Sequence, residues 1–71
     1  MTDIEIAYAK TFSGASGQRV LEHLRKMTIE RVLGPNATES ELRSLESQRF
    51  LVHQIETLVS RGKGASHEIT T

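Results

Sequence analysis

Hydrophobic residues recur at three- and four-residue spacing in three stretches of this chain, which is the pattern of amphipathic helices. The first stretch contains Ile4, Ala7, Tyr8 and Phe12. The middle stretch contains Val20, Leu21, Leu24, Met27 and Val32, and the third contains Leu42, Leu45, Val52, Ile55 and Val59. No stretch longer than four residues alternates with the two-residue period of a strand. The pattern therefore predicts an all-α fold.

Capping signals place the ends of these helices. Ser13 or Ser16 can cap the start of the middle helix, and Gly34-Pro35 can end it, because glycine adopts the left-handed conformation that closes a helix and proline cannot continue one. Thr38 and Glu41 form a capping box at the start of the third helix. Its end is predicted at Arg61-Gly62, where a basic side chain precedes a glycine. We predict a helical hairpin of residues 16–33 and 38–61, with a short N-terminal helix over residues 3–12.

The two main helices differ in length, which leaves apolar surface to be covered. Residues 38–61 would span about 36 Å and the middle helix about 25 Å. Residues 50–59 are apolar over more than one face, so either the first segment packs across the hairpin or a second copy of the chain completes the core. The predicted domain covers residues 1–62. Residues 63–71 are small and polar and are expected to form a flexible tail.

Composition and charge exclude several classes of protein. The 71 residues include nine basic and nine acidic side chains, so the formal net charge of zero argues against a free-standing nucleic-acid binder. The chain contains no cysteine and therefore no disulfide. Its longest apolar runs are far too short for a membrane span, and its N-terminus does not resemble a secretory signal. These features predict a cytoplasmic protein that does not enter a membrane.

The sequence contains no convincing catalytic or metal-binding constellation. His53 and Glu56 are spaced like a metal half-site, but the middle helix lacks the matching pair, so an ordinary helix-surface pair is the favoured interpretation. The segment 13–19 precedes a helix but lacks the Lys-Ser/Thr of a phosphate-binding loop. A hairpin of this size also offers little concave surface. We therefore expect no enzyme activity and no cofactor.

Basic side chains give the middle helix one candidate nucleic-acid face, formed by Arg19, Arg25, Lys26 and Arg31. With two acidic residues nearby, the local charge is +2. A helix-turn-helix reader would need a basic helix after the turn, yet the third helix is acidic. The favoured interpretation is a solvated face that partly pairs with the acidic helix.

A second candidate surface lies on the third helix, where Arg49 interrupts the apolar stripe. An arginine at such a position must find carboxylate or carbonyl acceptors or extend its head into water. It either packs its stem on the hairpin or forms an ion pair with a partner. We predict a partner-binding surface formed by Arg49, Phe50, Leu51 and Leu58.

Three segments carry a resemblance to a known family: Tyr8-Ala9-Lys10-Thr11-Phe12, Gly17-Gln18-Arg19-Val20-Leu21-Glu22-His23-Leu24, and Glu46-Ser47-Gln48-Arg49-Phe50-Leu51-Val52-His53-Gln54-Ile55. They resemble the Bbp19-like phage domain, which is found among virion morphogenesis genes. Gly17, Arg19 and Leu21 match its first motif, and Glu46 and Arg49 match its second. Ser47 stands where the family pattern has glycine.

The resemblance implies a bacteriophage or prophage protein that acts near head or connector assembly, without a catalytic activity or a cofactor. Its partner would be a phage structural protein, a host protein or a second copy of itself. It would be found in the cytoplasm of the bacterial host or in the virion. Two alternatives remain open at this point: a small DNA-associated regulator that uses the basic face of the middle helix, and an inhibitor of a host protein.

Overall fold

The computed structural model of this chain describes the backbone of residues 2–70 and the side chains of residues 2–64. It contains three helices, α1 (Asp3–Thr11), α2 (Ala15–Met27) and α3 (Glu39–Thr70), and this part of the chain has no strand. The all-α prediction of two main helices and a short N-terminal helix is confirmed. The 32 residues of α3 span about 48 Å at 1.5 Å per residue. That length accounts for the 50 Å long axis of the molecule.

Side-chain caps define the starts of α1 and α3. The Thr38 hydroxyl accepts the backbone N–H of Glu41 at 3.1 Å, as the capping signal predicts. A capping box that was not predicted begins α1. There the Thr2 hydroxyl accepts the Glu5 N–H at 3.4 Å, and the Glu5 carboxylate accepts the Thr2 N–H at 3.1 Å.

The core is thin and is organised along α3. Leu45, Val52 and Val59 are buried at seven-residue intervals, so they lie on one face of the helix. Ala9 of α1 and Thr28, just after α2, are the other buried side chains of this core. A seven-residue repeat with so few large side chains contributes limited apolar burial, as expected for a domain of this size.

Helix α1 lies against the C-terminal half of α3 and packs on it more extensively than α2 does. A Cβ atom placed on Gly62 would lie 2.6 Å from the Cβ of Ala9 and would also overlap the backbone carbonyl of Glu5. The carboxylate of Glu5 lies 3.7 Å from the guanidinium of Arg61. The first segment therefore packs within its own chain, and Gly62 permits the contact.

The predicted end of the third helix at residue 61 is wrong, because α3 continues through Gly62 to Thr70. Gly62 resembles a helix stop in the sequence, but it is buried inside the helix where α1 crosses. The flexible tail over residues 63–71, and with it the domain boundary at residue 62, stays a prediction. The side chains of residues 65–70 and all of residue 71 lie outside the described part of the chain.

Another glycine shapes the joint between α1 and α2. The cap residue of α2 is Gly14, not Ser13 or Ser16, and it makes no side-chain hydrogen bond. Gly17 follows in the first turn, where an added Cβ would lie 2.7 Å from the Cα of Phe12. The lack of a side chain at Gly17 therefore allows α2 to begin directly beside the end of α1.

The middle helix ends six residues before its predicted end. It stops at Met27, and Thr28 leaves the helical conformation with φ −127° and ψ −74°. Gly34 does not close it, since no described glycine has a positive φ. The Thr28 hydroxyl donates to the Leu24 carbonyl at 2.8 Å. The β-branched residues that follow have modest helix propensity, so tertiary contacts decide the end of the helix.

Arg49 supplies those contacts from α3. Its Nε donates to the carbonyl oxygen of Thr28 at 3.0 Å, and its Nη2 donates to the carbonyl oxygen of Arg31. Its Nη1 donates to the carboxylate of Glu46 at 3.0 Å. Carbonyl acceptors thus satisfy the arginine that interrupts the apolar stripe. The planar guanidinium holds the connector between α2 and α3 at two points while Glu46 orients it.

We expect Gly62→Ala to lower the free energy of unfolding by about 1–3 kcal/mol, because the new methyl group would overpack the contact between α1 and α3. Gly64→Ala is the matched control. Nothing lies within 4 Å of a Cβ at Gly64, so this change should raise helix propensity and stabilise the protein by up to about 1 kcal/mol. Urea unfolding followed by circular dichroism measures both. Equal stabilisation by the two substitutions would contradict the close contact.

We expect Arg49→Lys to cost about 1–3 kcal/mol of unfolding free energy, because lysine keeps the charge but cannot form the fork of hydrogen bonds to the connector. The exposed Arg43 on the same helix provides the control, and Arg43→Lys should stay within about 0.5 kcal/mol of the wild type. Urea unfolding again supplies the measurement. If the two variants are equally stable, the hydrogen bonds of Arg49 do not hold the connector.

Candidate partner-binding surfaces

Phe50 is the most exposed aromatic side chain of the described region, with 65% of its surface open to solvent. It lies two residues before the buried Val52, so it points about 160° away from the core face of α3. A shallow groove surrounds it, lined by Phe50, His53, Gln54, Thr57, Leu58 and Arg61. We call this surface the Phe50 groove. It is formed entirely by α3.

Leu51 belongs to a different groove, between α2 and α3. That groove is predominantly apolar and is lined by Leu24, Met27, Thr28, Arg31, Gln48, Leu51 and Val52. Leu51 and Leu58 are seven residues apart and share one side of α3, so Leu51 lies at the border of the two grooves.

The four residues of the predicted partner-binding surface therefore do not form a single patch. Arg49, Phe50 and Leu51 are consecutive, and successive helical side chains point about 100° apart. Arg49 is directed to the connector, Phe50 to the outer groove and Leu51 to the groove beside α2. Partner binding by any of the four stays a prediction. Phe50 and Leu58 line the Phe50 groove, whereas Leu51 lines the groove beside α2.

Helix α2 is strongly amphipathic, yet none of its residues is buried. Leu21 and Leu24 are half-buried, whereas 52% of Val20 and 44% of Met27 are exposed. A further shallow groove along α2 is lined by Ser16, Arg19, Val20, His23 and Leu24. The apolar side of α2 is thus only partly covered by α3.

The predicted basic face of the middle helix is divided by an ion pair. Nη1 of Arg25 donates to both carboxylate oxygens of Glu56 on α3, at 2.9 and 2.8 Å. These hydrogen bonds and the negative charge of Glu56 raise the pKa of Arg25, and Glu30, 3.4 Å from Nε, acts in the same direction. The expected pairing between the basic and acidic helices thus occurs at Arg25.

The other members of that face have no ion-pair partner among the described side chains: Arg19, Lys26 and Arg31. All three are exposed. They retain the ability to interact with an acidic surface outside the chain, although they lie on only part of the face that the sequence predicted.

Glu56 also lies 3.6 Å from the Nδ1 of His53, as expected for a surface pair. Its oxygens already accept the hydrogen bonds of Arg25, and the described side chains contain no cluster of three possible metal ligands. None of the helices, within the residues described, combines the length and the apolar character needed to cross a bilayer.

Three of the residues that carry the family resemblance lie at contacts that join the helices: Gly17, Glu46 and Arg49. Gly17 permits the contact between the end of α1 and the start of α2. Glu46 orients Arg49, which holds the connector after α2. Leu21 is half-buried, and Arg19 is exposed. Both motifs therefore include residues with a structural role in positioning the helices.

Comparison with known proteins identifies a family to which this chain is similar. No curated protein and no solved structure matches this chain. Residues 8–65 match the family described as Bbp19-like phage protein, so the match spans the end of α1, all of α2, the connector and most of α3. Since the match covers more than half of the chain, the protein belongs to the Bbp19-like phage protein family.

Proposed function

We propose that this protein is a non-enzymatic accessory or adaptor protein of a phage or prophage, and that it binds another phage protein during virion morphogenesis, near the head or connector. Membership of a phage protein family supports the setting. The exposed Phe50 groove is the observation that carries the proposed mode of action.

The distribution of hydrophobic side chains supports an interaction role. Four hydrophobic residues are buried, whereas eight large ones in the described region are exposed: Ile4, Ile6, Val20, Met27, Val32, Leu42, Phe50 and Leu51. Scattered exposed hydrophobic residues are normal on proteins, but adjacent ones around a groove mark an interaction site. A partner that covers them would add to a thin core.

The Phe50 groove has the composition of a small protein-binding site. Aromatic side chains bury about 150–250 Å² each and dominate many interfaces. Phe50 and Leu58 supply the apolar centre, while Gln54, Thr57 and Arg61 supply hydrogen-bonding groups at the border. This surface suits a partner segment with an apolar anchor and acceptors for the arginine.

Site-specific crosslinking in cells that produce the phage tests the proposal. A photoreactive phenylalanine analogue at position 50 should crosslink to a phage structural protein that mass spectrometry identifies. The same analogue at Ser60, which is exposed on the same helix outside the groove, should yield little of that product. Crosslinks to a host protein alone would contradict a morphogenetic role and favour inhibition of the host.

Phe50→Glu should lower the yield of infectious particles at least tenfold, because a charge in the apolar centre of an interface strongly opposes binding. Phe50 is exposed, so the variant should keep the wild-type circular dichroism spectrum. Gln54→Glu places the same charge at the border of the groove and should have a smaller effect. Wild-type yield from the Phe50→Glu phage, with particles of normal shape in electron micrographs, would exclude the proposed role of the groove.

A further inference from the structure

Helix α2 with its connector and the first part of α3 carry opposite charge, although the whole chain is neutral. Between residues 15 and 37 there are four basic and two acidic side chains, which gives +2. Between residues 39 and 56 there are four acidic and two basic side chains, which gives −2. Among the described side chains, the pair between Arg25 and Glu56 uses part of this complementarity.

Helix α2 presents an apolar surface with basic side chains at its border, and we call this surface the α2 face. Its centre is formed by Val20, Leu24 and Met27, of which Val20 and Met27 are largely exposed. Arg19 and Lys26 flank it, and neither has an ion-pair partner among the described side chains. The face opens on the side of α3 that carries Leu51.

The start of α3 presents an exposed apolar residue, Leu42, bordered by Glu39 and Glu46, and we call this surface the α3 ridge. Leu42 is 48% exposed near the start of α3. Glu39 and Glu46 lie three residues before and four residues after it, so they share its side of the helix. Both carboxylates are exposed, although Glu46 also accepts a hydrogen bond from Arg49.

The α2 face and the α3 ridge cannot meet within one chain. Leu42 and Leu51 are nine residues apart on α3, which corresponds to two and a half helical turns, so they point in opposite directions, about 180° apart. Two surfaces that match in charge and point in opposite directions can pair only between different molecules. Pairing either surface with a copy of itself would place like charges together, which opposes association.

We propose that the α2 face of one copy binds the α3 ridge of a second copy, so that the protein associates with itself head to tail. Leu42 would enter the apolar centre beside Val20 and Met27, while Glu39 and Glu46 would pair with Arg19 and Lys26. An interface of this heterologous type generates a ring when the rotation closes and a filament when it does not. The proposal goes beyond the function above, because it uses neither Phe50 nor Leu58.

Analytical ultracentrifugation of the full chain over a concentration series tests self-association. The wild type should form oligomers at low salt and dissociate at high salt, because screening weakens the pairs at the border. Met27→Glu on the α2 face and Leu42→Lys on the α3 ridge should each raise the dissociation constant at least tenfold. Phe50→Ala, outside both surfaces, should leave the dissociation constant unchanged.

Mixing the two variants separates the head-to-tail arrangement from a symmetric one. Met27→Glu retains an intact ridge and Leu42→Lys retains an intact α2 face, so an equimolar mixture should form a one-to-one dimer that does not grow further. An interface that pairs one surface with a copy of itself would instead leave one of the two variants associated on its own. A wild type that is monomeric at all concentrations, a mixture that stays monomeric, or an assembly that Phe50→Ala dissociates would each overturn the proposal.

Surface charge reversals provide a test that does not depend on the apolar substitutions. Circular dichroism of every variant checks that the helices are intact. If Met27→Glu or Leu42→Lys is unfolded, Lys26→Glu and Glu39→Lys replace them, since both positions are exposed. Each reversal alone should weaken self-association several-fold, and a chain that carries both reversals should associate again, because its reversed α2 face then meets the reversed ridge of another copy. Absence of that rescue would contradict the proposed pairing of charges.

Discussion

The hydrogen bonds of Arg49 determine the arrangement of the two main helices. Its guanidinium donates hydrogen bonds to the carbonyl oxygens of Thr28 and Arg31. Helix α2 therefore ends at Met27, and an irregular connector leads to the start of α3. Because those carbonyls are bonded to α3, the end of α2 is held against the middle of the long helix. The directions in which Met27 and Val20 face follow from that position.

Close backbone contact complements the arginine at the other end of the molecule. Gly62 allows α1 to cross α3, and Gly17 allows α2 to start beside the end of α1. A small core with few large side chains gains stability from such close approach, since dispersion contacts fall off steeply with distance. The protein thus relies on a few specific joints rather than on an extensive hydrophobic core.

These joints leave the surfaces free for interaction. The Phe50 groove lies on the outer side of α3, and the α2 face and α3 ridge lie elsewhere. A small phage protein could therefore bind a partner through one surface and another copy through the others. The two proposed interactions would differ in physical origin, because binding at the Phe50 groove would depend chiefly on an aromatic anchor and the head-to-tail contact on complementary charge.

The amino-acid sequence by itself determined the helical class, the start of α3 at the Thr38 cap and the family resemblance that the match over residues 8–65 confirms. Periodicity and caps are local signals, so they can be interpreted without knowledge of the fold. The tertiary structure alone decided the end of α2, the continuation of α3 through Gly62 and the division of the predicted partner surface. Each of these depends on contacts between residues distant in the chain: Arg49 bonds a carbonyl 21 positions earlier, and Gly62 meets α1. Local helix propensity carries no information about such contacts. Contacts of this kind override the local propensity, as the hydrogen bonds from Arg49 to the connector carbonyls do.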